Sequence, residues 1–218
     1  MPLKLCGFSA SNYYNQTKLQ LLEKQVPFEE ELVLTRGAQA RGSPMGKVPF
    51  LDTGDACISE SIACAEYIEA AYPQHPLLPT DAVAAAKVRE LVLYLELHLE
   101  LVARELYAEA FFGGKISDAS KERSRKLLVQ GAAAFARIAR FSPYVAGDQF
   151  TLADCAAVVH LPIVSGASKI IYGEDLLAAL PVKAYLKTCS ERPTVRRVNE
   201  DRKTDTQRML AAQAASRA

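Results

Sequence analysis

Catalysis by side chains needs the right residue types at a usable spacing, and the most reactive types here are scattered. Cys6, Cys57, Cys64, Cys155 and Cys189 are odd in number and form no C-x-x-C pair, and His75, His98 and His160 lie far apart. Such a pattern is neither a disulfide framework nor a metal site. Polar residues gather instead at two turns. Ser9, Ser11, Asn12, Tyr13 and Tyr14 follow the apolar run "LKLCGF" at positions 3 to 8 and offer hydroxyl and amide groups where a helix begins. Glu60 and Ser61 stand where "ACIS" passes into the helical pattern "SIACAEYIEAAY". Ser61 fits as an N-cap there, and the N–H groups of a first helical turn, with the helix dipole, favour a carboxylate. Read alone, the pair is ordinary capping beside a solvated glutamate. A third oddity is Pro49, inside "KVPFLD". Proline has no N–H for a sheet ladder and is normally confined to edge strands, strand starts or bulges.

These groups must be held by the elements around them. Positions 3–8 read as a buried strand, 12–25 as a helix and 27–34 as a second strand. After the irregular "TRGAQARGSPMG" come short strands at 48–52 and 56–59, joined by the turn "TGD", and a helix at 61–72. The order β-α-β, loop, β-β-α implies a small mixed sheet with helices packed on it. "PQHPLLPTD" at 73–81, with three prolines in nine residues, cannot continue that helix and marks a boundary. Beyond it the period is helical. Val88, Leu91, Val92, Leu95, Leu99, Val102 and Leu106 form one stripe of a long helix ending at Gly113-Gly114. A second stripe, Leu93, Leu97 and Leu101, predicts burial on more than one side. Leu127, Leu128, Phe135, Ile138 and Ala139 mark another helix. "FTLADC" sets Thr151 and Asp154 at capping-box spacing, and Val182, Tyr185, Leu186 and Cys189 predict a last short helix. The fold class is therefore α/β plus all-α, with domains at 1–78 and 84–210.

Composition bounds the partners. In 218 residues, half of them apolar, a large core is possible, and a formal charge of +1 provides no general field for nucleic acid or acidic lipid. No apolar stretch is read as a membrane span, and "MPLKLCGFSAS" lacks the apolar core of a secretory signal, so the expected compartment is the cytoplasm. "RRVNEDRKTDTQR" near the end interleaves acids and bases and reads as a solvated helix face.

In their order, "SPMGKVPFL", "ISESIACAEYIEAAYP" and "FTLADC" resemble segments of the cytosolic glutathione S-transferase family: the approach to its cis-proline, its glutamate-serine pair opening a helix, and its helical-domain capping box. The resemblance spans almost the whole chain and is to serine-type bacterial members, similar to the theta and zeta classes. It implies a thioredoxin-like N-terminal domain followed by an all-helical C-terminal domain. It also implies a cis Val48-Pro49 bond that turns the valine's N–H and C=O outward, where the cysteinyl unit of glutathione can pair like a short strand. The γ-glutamyl carboxylate would then meet the helix start at Ser61, Glu60 would attract the α-ammonium, and Lys47 would meet the glycyl carboxylate.

In the family's tyrosine type the thiol's hydrogen-bond donor ends the first strand, where this chain has Cys6, Gly7 and Phe8. In the serine type it begins the first helix, and counting back from "VPFEE" places it at Ser11, with Asn12 as a second donor. Ser9, Asn12 and Tyr13 remain alternatives, because a one-residue change in loop length shifts the comparison. The resemblance puts the electrophile's pocket between the two domains, near Tyr13, Tyr14, Arg104, Tyr107, Phe111 and Phe112. Tyr107 and the phenylalanines equally fit a core, and Arg104 equally fits an ion pair with a neighbouring glutamate. It implies glutathione as co-substrate, a small hydrophobic electrophile, no metal and a homodimer. A glutathione-dependent isomerase similar to maleylacetoacetate isomerase, and a non-catalytic member of the same fold, are the competing readings.

Overall fold

A computed structural model describes residues 2–215. The chain forms two compact units: residues up to Leu77 together with those from Ser190 onward, and Leu78–Cys189. In the first, β1 (Lys4–Gly7) leads through α1 (Asn12–Glu23) to β2 (Glu29–Leu32). Short α2 (Thr35–Ala38) and a 3-10 turn follow, then β3 (Phe50–Asp52), β4 (Cys57–Ser59) and α3 (Ser61–Ala71). The sheet order is β2-β1-β3-β4, with β1 and β2 parallel and the other pairs antiparallel.

Side-chain alternation explains why this small sheet is stable. Leu5 and Leu51 point to the face packed with Tyr14, Leu21 and Ile68, while Cys6 and Phe50 point to the other, with Val33 and Ala38. Ala38 belongs to the stretch expected to be irregular. Its helical turn is four residues long and contains Gly37, too short to show a period in sequence. The outer strand β2 is blunted by charge. Glu31 pairs with Lys4 and Arg41, and Glu30 takes the Tyr14 hydroxyl at 2.7 Å and the buried Lys18 at 2.6 Å.

The second unit is helical: α4 (Ala82–Leu93), a π-helical segment Tyr94–Glu100, α5 (Leu101–Arg104), α6 (Tyr107–Ala110), α7 (Asp118–Ile138), α8 (Leu152–Tyr172) and α9 (Val182–Cys189). Three expectations need correction here. The single long helix is interrupted by the π segment, whose wider turns let Glu96 and Glu100 face inward with Leu95 and Leu99. Leu93, Leu97 and Leu101 are exposed, because α7 and α8 pack on the Leu95–Leu99 side. And α8, at 21 residues, is long and apolar enough to cross a membrane by length and composition, although Ala153, Cys155, Ala156 and Leu161 are fully buried among the neighbouring helices. The loop before it contains a cis Ser142-Pro143 bond, for which the sequence gives no signal.

The last helix, α10 (Pro193–Ala215), departs from the division read at 84–210. It packs on α1 in the first unit, burying Val195 and Val198. Glu23 takes Arg192 and Thr194, and Lys18 bridges to Asp201 at 2.7 Å. The tail is thus only partly a solvated face. Its docking side is largely ionic, so it carries little apolar period to read.

At the start of α8 the buried Asp154 carboxylate accepts from the Thr151 N–H (2.8 Å) and hydroxyl (3.1 Å), the Val145 N–H (2.9 Å) and the Tyr185 hydroxyl (2.9 Å). Leaving buried donors unpaired costs about 1–3 kcal/mol each. Asp154→Ala should therefore lower unfolding free energy by about 3 kcal/mol or more, as measured by urea denaturation.

Candidate functional site

The register of the sheet assembles the site. Cys6 stands opposite Phe50, and Phe50 opposite Ser59, so the three residues form one row. Because β1 runs antiparallel to β3 and β3 to β4, the end of β1, the start of β3 and the end of β4 all emerge at the same edge. The loop carrying Ser11, the segment Val48-Pro49 and the pair Glu60-Ser61 leave the sheet together. At about 4.8 Å between strands, the row spans about 10 Å.

Gly7 closes β1 in a conformation (φ 152°) suited to glycine, and the space around it explains the residue type. A Cβ there would lie 2.5 Å from Tyr14 Cδ2 and 3.2 Å from Val48 Cβ. A side chain at the strand end is excluded by the close approach of α1 and the proline segment. Ser11 is the N-cap of α1. Its Oγ accepts from the Tyr14 N–H at 3.4 Å, and its carbonyl accepts from the Asn15 N–H at 3.1 Å. A hydroxyl has one proton to donate besides its acceptor lone pairs. Among the described residues nothing accepts the proton of Ser11, which is half-exposed. Asn12 is buried in the first turn and Tyr13 half-buried beside it, while Ser9 presents its carbonyl to Asn15 Nδ2 at 2.7 Å.

The Val48-Pro49 bond is cis, as the resemblance implies. Val48 lies just outside the ladder, and among the described residues none hydrogen-bonds to its N–H or C=O. The approach is pinned by Ser43, a residue the sequence reading passed over. Buried Ser43 accepts from the Lys47 N–H through Oγ at 3.1 Å and from the Gly46 N–H through its carbonyl at 2.9 Å. Its only sequence signal is its place ahead of "PMG". Lys47 itself is exposed.

Glu60, not Ser61, is the N-cap of α3. Its carbonyl takes the Cys64 N–H at 2.9 Å, which makes the buried Ser61 the first helical residue. The shift arises because Glu60 makes the turn itself, at φ 72° and ψ 127°, a conformation rare for a residue with a Cβ. The Glu60 side chain makes no capping hydrogen bond to this helix, and its carboxylate is exposed. The helix start and a carboxylate lie side by side, as a zwitterionic headgroup requires.

Two of the expected pocket residues, Tyr14 and Tyr107, are buried. Tyr14 is 2% exposed, and burial followed by its bond to Glu30 raises its phenol pKa far above the ordinary value. In the second unit Tyr107 is buried, its hydroxyl donating to Glu100 at 3.2 Å. Arg104 pairs with the same fully buried Glu100 and lies over the Tyr107 ring, 5.5 Å from its centroid. A carboxylate inside a helical unit demands a cation, and Arg104 supplies it while its own side chain stays 42% exposed. Phe111 and Phe112 remain exposed.

Burial pushes the Cys6 thiol up to about 11 and the Cys64 thiol up to about 12. It presses His160 down to about 4, so that side chain is neutral near pH 7. Among the described residues no three His, Cys, Asp or Glu side chains cluster to hold a metal ion.

Comparison with known proteins identifies the family. Residues 5–76 match the model of the glutathione S-transferase N-terminal domain, and residues 81–188 that of the C-terminal domain. A glutathione S-transferase of Pseudomonas putida is 44% identical over 205 residues, 92% of each chain. Among solved structures, apo glutathione S-transferase III is 30% identical, with a TM-score of 0.71 over 92% of this chain and 96% of its own. Holo maleyl pyruvate isomerase, a bacterial zeta-class glutathione S-transferase, is 28% identical, with a TM-score of 0.69 over 89% and 95%. On the strength of both domain matches and this identity across nearly its whole length, the chain belongs to the glutathione S-transferase family.

Proposed function

We propose that the chain binds glutathione along the row of strand ends in its first unit and transfers the thiolate to a small hydrophobic electrophile. The observation that supports this most is the common edge shared by Ser11, Val48 and Glu60-Ser61, set by the Cys6–Phe50–Ser59 register. An extended tripeptide is about 10 Å long, matching the width of the row. In this reading the γ-glutamyl headgroup lies at Glu60 and the start of α3, the cysteinyl unit pairs with the main chain of Val48, and Lys47 serves the glycyl carboxylate. The sulfur then falls at the start of α1.

A free thiol with a pKa near 8.5 is only a few per cent ionised at neutral pH. Lowering it by about two units takes roughly 2.7 kcal/mol, and one hydrogen bond to a charged group supplies about 1.5–3. Ser11 suits this role because its oxygen already accepts from the helix and its proton is available. Asn12 is the second donor, and Tyr13 borders the electrophile. The thiolate attacks the electrophile's carbon and the leaving group departs with the electron pair, so the serine donates a hydrogen bond and never becomes the nucleophile. The cysteines are poor alternatives, since Cys6 and Cys64 are both buried with raised pKa values.

The likeness to maleyl pyruvate isomerase favours one further reading, in which the thiolate adds to a double bond and later leaves. It uses the same glutathione site and differs only in whether glutathione is consumed. Cytoplasmic location and a homodimeric state belong to this proposal as well.

Ser11→Ala should reduce kcat/KM toward a chloronitroaromatic electrophile roughly 10- to 100-fold, the worth of one such hydrogen bond. Unchanged turnover would transfer the role to Ser9, Asn12 or Tyr13. Glu60→Ala should raise the glutathione KM several-fold, consistent with losing roughly 1 kcal/mol from an exposed charge pair; full retention on immobilised glutathione would remove Glu60 from the site. Native Cys6 and Cys64 should resist iodoacetamide at neutral pH, where thiols this weakly acidic are about 0.01% ionised or less. Mass spectrometry of native against denatured protein reads that result.

A further inference from the structure

The four-residue loop between β1 and α1 has no regular structure, yet its backbone is tied at three successive places. The Ser11 N–H donates to the Phe8 carbonyl at 3.1 Å, and the Ser9 carbonyl accepts from buried Asn15 Nδ2 at 2.7 Å. Between them, the Ala10 N–H donates to Asp205 Oδ2 at 2.9 Å. That third tie comes from α10, at the far end of the sequence. The other oxygen of Asp205 receives the Arg208 guanidinium at 2.6 Å, and the aspartate side chain is only 12% exposed.

We infer that Asp205 is a positioning residue for the thiol-activating hydroxyl, an inference that rests on the Ser11 reading above. By holding the amide immediately before Ser11, it fixes where the chain enters α1 and hence where the serine O–H points. Ser11 needs this support because, among the described residues, its own Oγ has only the long 3.4 Å contact from Tyr14. The outer side of the loop gives little packing, since an open cleft of about 410 Å³ lies there, lined by Phe8, Ser9, Leu32, Thr204 and Arg208. A hydrogen bond from an amide to a carboxylate is charge-assisted and stronger than a neutral one.

The surrounding charges fit the same role. Lys18, Glu30, Asp201 and Arg197 also face the cleft and satisfy one another: Lys18 lies 2.6 Å from Glu30 and 2.7 Å from Asp201, and Arg197 3.6 Å from Glu30. An uncompensated carboxylate near a thiolate would disfavour the anion. Arg208 offsets that charge on one oxygen and leaves the other for Ala10. A misplacement of about 1 Å at a reacting group can cost about 100-fold in rate, so a remote tie of this kind has a measurable consequence.

The test is an ultraviolet titration of the glutathione thiolate in the complex, alongside pH profiles of kcat/KM with a chloronitroaromatic electrophile. Asp205→Ala should raise the bound thiol's pKa by about one unit, lower kcat/KM about tenfold at neutral pH and leave the glutathione KM within about twofold. Asp205→Asn keeps an oxygen that accepts the Ala10 N–H and should recover most of the loss. In a Ser11→Ala background, Asp205→Ala should add no further loss, because the two residues act through one hydroxyl. A titration of Asp205→Ala identical to that of the unaltered protein, equal loss in the alanine and asparagine variants, or full additivity with Ser11→Ala would each overturn the inference. If Ser11→Ala itself leaves the titration unchanged, the Ser11 reading fails and takes this inference with it; a normal Ser11→Ala effect beside a silent Asp205→Ala refutes the inference alone. Amide exchange at Ala10 in the unaltered protein does not depend on whether the variants fold. Slow exchange supports the tie, and exchange at the free-loop rate rules it out.

Discussion

Cys6, Phe50 and Ser59 stand side by side across three strands, and burial on both faces of the sheet locks that alignment. Leu5 and Leu51 are fully buried on one face, as Cys6 and Phe50 are on the other. A slip of one residue between β1 and β3 would exchange the faces and break both clusters at once. Apolar packing therefore determines where three polar segments, distant in sequence, come to an edge together. The chemistry follows from the core.

At that edge the backbone adopts shapes most residues avoid. Gly7 lets the ring of Tyr14 and the side chain of Val48 close on the end of β1, a packing any Cβ would prevent. Glu60 has a Cβ and still holds a positive φ, at a cost of roughly 1–3 kcal/mol. It can do so because the flanking elements are secured independently: β4 by its ladder to β3, and α3 by the buried Cys64, Ala65 and Ile68. The strained turn sets a carboxylate that makes no capping bond next to the start of α3, an arrangement that relaxed capping by a serine at that position would not produce.

Charge organisation is also invisible in the total. A formal charge of +1 conceals a fully buried Lys18 between two carboxylates, a buried Glu100 held by Arg104 and Tyr107, and the Asp205 contact with the loop before Ser11. Each joins residues whose partners lie on different helical turns or far along the chain. Removing one member of such a group leaves an uncompensated charge, so these ties matter more than their number implies.

The alternation of strands and helices through residue 72, the break at the prolines and the Thr151–Asp154 cap were all legible in the amino-acid order, because periodicity, proline and caps act within a few residues of one another. Ser11, which caps α1, is singled out only through the family resemblance, with Ser9, Asn12 and Tyr13 as alternatives. The burial of Tyr14 and Tyr107, the π-helical turn that brings Glu96 and Glu100 inside, the docking of α10 and the transfer of the cap from Ser61 to Glu60 were not legible. These depend on which surfaces meet and on polar contacts spanning up to nearly two hundred positions, and contacts of that kind impose no local period from which they can be read.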